Sequence, residues 1–338
     1  MAIRVLLMAR ELNLGGSERQ MTQTALFLDR SKFEALVGCF LPAGMRGDEL
    51  TAAGIPVVRF PVHSYKSAAA VRGARELARY IRSEKIDIVH TFDYPLNVFA
   101  VPVAHWFTKA ITVSSQRSHR ELVPAGYRRV LRWSERRADA IVVNCRFLER
   151  HMVEDEGVDP AVLRVCFNGI DLDFFSPAVE RRAGPLTIGT MSGLHRWKGV
   201  DTLLAAFALV RDIHTQMKLL VVGSGTMLES LKQQAKELGI AERVTFEPAT
   251  ARVPEMLRRM DIFVLPSLSE ALSNALMEAM ACGCCAAASN VGGNPELVRE
   301  GETGLLFEAG DAHGLAAALR RLIENAGLRA QFANDGLA

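Results

Sequence analysis

An α/β fold built as two tandem units, each with a mainly parallel sheet, is the architecture that this 338-residue chain predicts. Three observations carry that expectation. Short apolar, β-branched runs alternate with stretches of helical periodicity along the whole chain. The alternation breaks at the polar segment Glu180-Arg-Arg-Ala-Gly-Pro and then restarts, which marks a linker between the units. The length and a hydrophobic content of 49% suffice for two ordinary cores.

Taken in order, the first unit opens with a strand from Ile3 to Ala9 and a helix from Ser17. A strand from Ala35 to Phe40, a helical stretch near Asp48 and a strand from Val57 to Pro61 follow. Then come a helix through Tyr80, a strand from Ile86 to Thr91 and a helix across Val98 to Phe107. Strands at Ile111 to Ser115, Ala140 to Asn144 and Arg164 to Phe167 complete the unit. The second unit has strands at Leu186 to Met191, Leu219 to Val222, Val244 to Phe246, Ile262 to Leu265, Cys284 to Ala288 and Gly304 to Phe307. The domain boundaries expected from this pattern are 1–176 and 177–338.

A formal net charge of +2 gives no general attraction for nucleic acid, so no nucleic-acid partner is expected. The six cysteines lie mostly in or beside apolar runs, and no secretory leader precedes Ile3, which suggests a reducing cytoplasm. Cys282-Gly-Cys-Cys has no second pair at finger-like spacing and reads as small packing residues. No apolar run approaches the roughly 20 residues that a membrane-spanning helix needs.

The most informative stretch is Pro266 to Gly283, where Glu270 and Glu278 stand across a strand-to-helix junction. Open α/β sheets hold ligands at such junctions. Asp261-Ile-Phe-Val-Leu-Pro reads as a buried strand and Asn274 to Ala281 as a helix, so Glu270 falls on the connecting loop and Glu278 on the helix. Further landmarks are Gly15-Gly16-Ser17-Glu18, Asn168-Gly169-Ile170-Asp171, Lys198-Gly199 at a helix start, and Gly292-Gly293.

With a Glu, seven residues and a second Glu followed by Ala-Met-Ala-x-Gly and a later Gly-Gly, the chain resembles the retaining glycosyltransferases of family 4. The landmarks occur in that family's order over nearly the whole length. The resemblance implies the GT-B arrangement, two Rossmann-like domains facing each other across a cleft, with the second holding a nucleoside-diphosphate sugar. It also implies a further helix or two crossing back onto the first domain, so the chain reads as short of that crossover.

Such an enzyme must meet negative charge on a departing diphosphate while the sugar becomes oxocarbenium-like. The resemblance makes Lys198 the first cation for that charge; an exposed lysine at a helix start is the plain alternative. A second cation, an arginine of a Gly-Arg-Leu segment, is missing here, because the segment reads Ser192-Gly193-Leu194. Arg196 is the neighbouring candidate. Glu270 is assigned to the donor sugar and Glu278 to the ribose hydroxyls, with the amides of Leu272, Ser273 and Asn274 at the diphosphate. Ala271 replaces the family's usual glycine, placing a methyl group beside the sugar and narrowing donor choice. Gly15 and Gly16 allow close backbone approach to a ligand near free helix amides. For a general base, relatives place a histidine where Arg117 stands; His119 is the substitute, or the leaving phosphate serves.

Asp171-Leu-Asp173 resembles a metal-binding Asp-x-Asp, but it lies at the domain crossover rather than at the end of a nucleotide-binding strand. It reads as structural, and neither a metal nor another cofactor is expected. The basic stretch from Arg117 to Arg137 has Tyr127, Val130, Leu131, Ser134 and Ala138 on one helical face. Arg128, Arg129, Arg132, Trp133 and Arg136 project from the other, a pattern that suits an anionic membrane surface or a phosphorylated acceptor as well as a solvated face. The resulting expectation is a cytoplasmic, peripheral glycosyltransferase of hexosyl type acting on a glycan or lipid-linked acceptor in cell-envelope polysaccharide biosynthesis. A sugar-nucleotide 2-epimerase of the same fold and a degenerate sugar-nucleotide-binding protein are the alternatives.

Overall fold

The computed structural model describes residues 2–13, 15–62, 64–65, 67–120, 123–178 and 184–337. Residues 180–183 of the expected linker lie outside these. The chain divides into two compact units, Met1–Gly169 and Ile170–Ala338, ahead of the boundary expected at residue 176.

The first unit carries strands β1 (Ile3–Glu11), β2 (Phe33–Leu41), β3 (Val57–Arg59), β4 (Ile88–Thr91), β5 (Ile111–Gln116), β6 (Ala140–Val143) and β7 (Leu163–Val165). Its helices are α1 (Gly16–Phe27), α2 (Met45–Ala52), α3 (Ala68–Ser83), α4 (Tyr94–Phe107), α5 (Ala125–Glu135) and α6 (Arg146–Glu154). The strands pair in the order β3-β2-β1-β4-β5-β6-β7, and every pair is parallel.

The second unit runs β8 (Thr187–Met191), α7 (Val200–Val210), β9 (Lys218–Val222), α8 (Leu228–Glu237), β10 (Val244–Glu247) and α9 (Val253–Leu257). It continues with β11 (Ile262–Leu265), α10 (Asn274–Ala281), β12 (Cys285–Ser289), α11 (Asn294–Leu297), β13 (Gly304–Phe307), α12 (Ala312–Glu324) and α13 (Ala326–Asp335). Its parallel sheet has the order β10-β9-β8-β11-β12-β13.

Burial on both faces explains why the strands read as continuous apolar runs. In β1, Leu6 and Met8 join one core while Val5, Leu7 and Ala9 join the other, the alternation that a pleated strand imposes. In β11, Ile262 and Val264 face one layer and Phe263 and Leu265 the opposite one. A fully buried side chain such as Phe263 contributes about 1.5–3 kcal/mol of hydrophobic stabilisation. Local signals agree with the packing: the Asp93 carboxylate accepts the Leu96 amide at 2.9 Å to cap α4, and Pro95 in the first turn needs no amide partner.

In both sheets the order reverses beside the first strand of the unit. Connections leaving β1 and β4, or β8 and β11, therefore diverge and open a crevice at the carboxyl ends of the strands. The loops bearing Lys198 and Glu270 leave β8 and β11, which are neighbours.

Candidate functional site

Two glycines hold the Lys198 and Glu270 loops. Gly199, at the start of α7, has φ +61°, and a Cβ there would lie 2.0 Å from the Pro266 carbonyl oxygen of the other loop. Leu268 N donates to Trp197 O at 2.8 Å, tying the loops a second time. Gly292 has φ +58°, and a Cβ there would lie 2.0 Å from the Glu270 carbonyl oxygen. The adjacent Gly293 amide donates to Ala271 O at 2.6 Å. The Gly-Gly pair is thus a backbone support beneath the Glu270 turn.

On this support Lys198 Nζ and a Glu270 carboxylate oxygen form an ion pair, and Ser267 Oγ donates to the same oxygen at 2.8 Å. The Glu270 side chain is 11% exposed and that of Lys198 23%, so the pair is only partly solvated. Behind it, Ser289 Oγ donates to Ser267 O at 2.6 Å and Asn294 Nδ2 to Ser289 O at 3.0 Å, all three residues being fully buried. Sequence reading missed Ser267, Ser289 and Asn294.

Helix α10 begins where expected. Ser273 is its N-cap, its hydroxyl accepting the Leu276 amide at 3.3 Å; Asn274 is its first residue, and Leu272 is buried just ahead. Glu278, the fifth residue of this helix, is buried, 5% exposed. His195 stacks on Trp197 with ring centroids 4.6 Å apart, and Arg196 projects into solvent. The space where a residue-193 side chain would start is bounded by the imidazole, 3.1 Å from the Cβ position of Gly193.

In the first unit Gly15 is the N-cap of α1 and Gly16 its first residue. The Glu18 carboxylate folds over this turn, and a Cβ on Gly15 would fall 2.0 Å from its oxygen. Burial holds Glu18 above the usual carboxylate range. The helix start expected to await an outside anion therefore already carries the chain's own carboxylate.

Arg117 follows β5 and is half-buried. Its Nη1 donates to Asn168 Oδ1 at 2.7 Å, its guanidinium lies 4.9 Å from the Phe92 ring centroid, and burial lowers its pKa to about 10. The Asn168-Gly169 motif gains a physical role here: Asn168 holds Arg117, while the Gly169 backbone exchanges two hydrogen bonds, 3.1 and 3.2 Å, with the Gln20 amide of α1. His119 packs against Phe147 and His151 of α6, with centroids at 5.8 and 4.4 Å. Asp171 Oδ1 accepts the amides of Asp173 and Phe174 at 3.0 and 3.2 Å, so its carboxylate caps a turn.

The arginine helix differs from its expected facing. Val130 is 43% exposed rather than packed inside. Arg128 Nε donates to Val123 O at 2.9 Å, and Arg132 is paired with Glu156, whereas Arg129 and Arg136 are exposed. None of the six cysteines forms a disulfide, and only Cys166 among them is exposed. No helix among the described residues is long and apolar enough to cross a membrane. A cavity of about 550 Å³ lies at the opposite end of the second sheet, lined by Lys218, Arg258, Arg259 and Asp261 among others. It is remote from the Lys198–Glu270 pair.

Two family models cover the chain almost end to end: Glycosyltransferase Family 4 matches residues 14–174 and Glycosyl transferases group 1 matches residues 173–337. The chain belongs to the group 1 and family 4 glycosyltransferases. Among curated relatives of this glycosyltransferase family, the D-inositol 3-phosphate glycosyltransferase of Rhodococcus jostii is 36% identical over 216 residues, covering 59% of this chain and 48% of the relative. The chain spans about half the length of the curated relatives it matches. Anabaena HepE, solved with UDP and glucose, superposes with a TM-score of 0.87 at 22% identity over 99% of this chain and 94% of that one. Sucrose-phosphate synthase of Thermosynechococcus elongatus does so with a TM-score of 0.84 at 20% identity, over 99% and 93%. These neighbours establish the GT-B type of fold.

One titration of this family member follows directly from the first unit. His90 lies in β4 with Nε2 2.8 Å from Ser115 Oγ and its ring 4.3 Å from that of Phe92. Burial, with a smaller contribution from the Arg117 charge, lowers its pKa to about 3. The unfolded chain binds a proton at His90 near the ordinary histidine value and the folded chain does not, so this contribution to stability is lost as pH falls below about 6.5. His90→Gln removes the linkage. From about pH 7 to about pH 5, the urea stability of the parent should fall relative to the variant by up to about 2 kcal/mol. Parallel stability curves would show that His90 is solvated.

Proposed function

We propose that this chain is a retaining, metal-independent hexosyltransferase, moving a sugar from a nucleoside-diphosphate sugar to a glycan or lipid-linked acceptor of the cell envelope. The observation that carries this reading is the Lys198–Glu270 pair on two glycine-supported loops at the strand-order reversal. Fixed charge placed where a diphosphate develops negative charge stabilises the transition state without reorganising at the moment of reaction. Lys198 supplies that charge, exchanging its Glu270 partner for phosphate oxygens when donor binds. The amides at Leu272, Ser273 and Asn274, aimed along α10, add partial positive charge.

Glu270, already fixed by Ser267, then faces the donor sugar, and Glu278 accepts hydrogen bonds from the ribose hydroxyls. Retention follows if the leaving phosphate takes the acceptor proton on the face it departs from, with His119 and Arg117 on the acceptor side. The reducing cytoplasm suits six cysteines outside any disulfide. HepE, whose solved complexes contain UDP or UDP-glucose, makes uridine the first base to test. A second reading, donor binding without transfer, is favoured by Gly193, which leaves Lys198 without the family's usual arginine.

Calorimetric titration without divalent metal, against uridine, guanosine and adenosine diphosphates and their sugars, tests the donor site. Glu278→Ala should weaken binding by about one to two powers of ten, the worth of a charge-assisted hydrogen bond. Glu278→Gln controls for packing. No binding to any member would overturn the donor reading; binding without product across an acceptor panel would favour the second one.

A further inference from the structure

The exposed end of α4 and the outer face of α5 form an aromatic and cationic surface that the proposed donor chemistry does not use. Trp106 and Phe107, the last residues of α4, are 52% and 58% exposed, and Trp133 of α5 is 39% exposed. The two indoles stand 5.0 Å apart, and the Arg137 guanidinium covers both, 5.2 Å from the Trp106 ring and 4.1 Å from the Trp133 ring. Arg137 Nη1 also donates to Trp133 O at 2.6 Å, and Arg82 of α3 donates to Phe107 O at 3.0 Å. The pair is therefore built and held.

Along α4 and α5 themselves the exposed charge has one sign. Across 94–110 and 123–138 the single carboxylate is Glu135, which is buried and paired with Arg120 at 2.7 Å. Asp139, next along the chain, is taken up by the amide and hydroxyl of Thr112 at 2.7 and 2.8 Å. Exposed Lys109, Arg129, Val130 and Arg136 each lie within four residues of Trp106 or Trp133 along the chain. Large aromatic side chains left in water beside unopposed cations fit the headgroup layer of an anionic bilayer, where indoles favour the interface and each nearby arginine adds attraction.

We propose that this α4–α5 surface docks on an anionic lipid bilayer, with Trp106, Phe107 and Trp133 entering the headgroup region and Arg129, Arg136 and Lys109 meeting lipid phosphates. This inference stands on the first unit alone and does not depend on the donor reading.

Cosedimentation with phosphatidylcholine vesicles, with and without phosphatidylglycerol, tests it. The parent should bind only the anionic vesicles, with a blue shift in tryptophan emission and release by salt. Arg129→Gln with Arg136→Gln should lower partitioning by about tenfold or more at low salt. Trp106→Ser with Trp133→Ser should abolish binding, and circular dichroism together with the nucleotide titration checks that these variants remain folded. Equal binding by all forms would overturn the proposal. So would absence of vesicle binding alongside a dimer that the tryptophan variants dissociate, which would assign the surface to a second copy of the chain.

Discussion

Replacing Lys198 with alanine is expected to lower kcat/KM for sugar transfer by about two to three powers of ten, the usual cost of removing one fixed donor from a developing oxyanion. The expectation rests on where the lysine is held. Gly199 lets the Lys198 loop approach the Pro266 carbonyl, and the Leu268 to Trp197 hydrogen bond fixes it again, so the ammonium requires little reordering. Lys198→Arg should rescue only part of the loss, because a planar fork does not fit a site built around a point charge. A Lys198→Ala variant as fast as its parent would remove Lys198 from the mechanism and leave the exposed Arg196 as the cation to test.

The Lys198–Glu270 contact sharpens this prediction. Without a ligand, each charge is compensated by the other, and Glu270 keeps Ser267 as a further donor. Removing both should therefore cost less than the sum of the single losses, since each single variant leaves a partly buried charge unpaired. Additive effects would mean that the pair is a resting contact without a shared role.

Much of this was legible in the sequence, for identifiable reasons. Strands buried on both faces read as apolar runs, so Ile262 to Leu265 and Gly304 to Phe307 were placed to the residue. Helix α10 was equally clear, because Ser273 is a strong N-cap and the residues after it are good helix formers. What escaped depends on contacts between distant segments. The Ser267, Ser289 and Asn294 chain joins loops that only the sheet brings together, and Glu18 closes over Gly15 through a side-chain orientation that spacing does not encode. Val130 reads as core because it neighbours Leu131 in the sequence, but one residue turns a helix by about 100° and the buried face of α5 is set by Leu131, Ser134 and Glu135; the exposure of Trp106 is set by where α4 ends.

Gly292→Ala should be strongly damaging although it replaces no functional side chain, and Gly199, with φ +61° and a Cβ position 2.0 Å from the Pro266 carbonyl oxygen, carries the same two costs. Two costs combine. Alanine at φ +58° pays about 1–2 kcal/mol for the left-handed backbone, and its Cβ would also overlap the Glu270 carbonyl oxygen at 2.0 Å. Relief requires moving the turn that presents Glu270, so a total loss of about 3–5 kcal/mol is expected, in the range reserved for specific structural faults. Gly301 separates the two costs: it lies in the same unit at φ +75°, with nothing within 4 Å of the point where a methyl group would stand. Gly301→Ala should therefore show the backbone cost alone, about 1–2 kcal/mol, with nucleotide binding unchanged. Urea unfolding of both variants, paired with the nucleotide titration, decides the matter. If Gly292→Ala is no worse than Gly301→Ala and binds nucleotide equally well, the Gly-Gly pair is an ordinary turn; if it loses binding beyond its loss of stability, the pair is the support that aims Glu270.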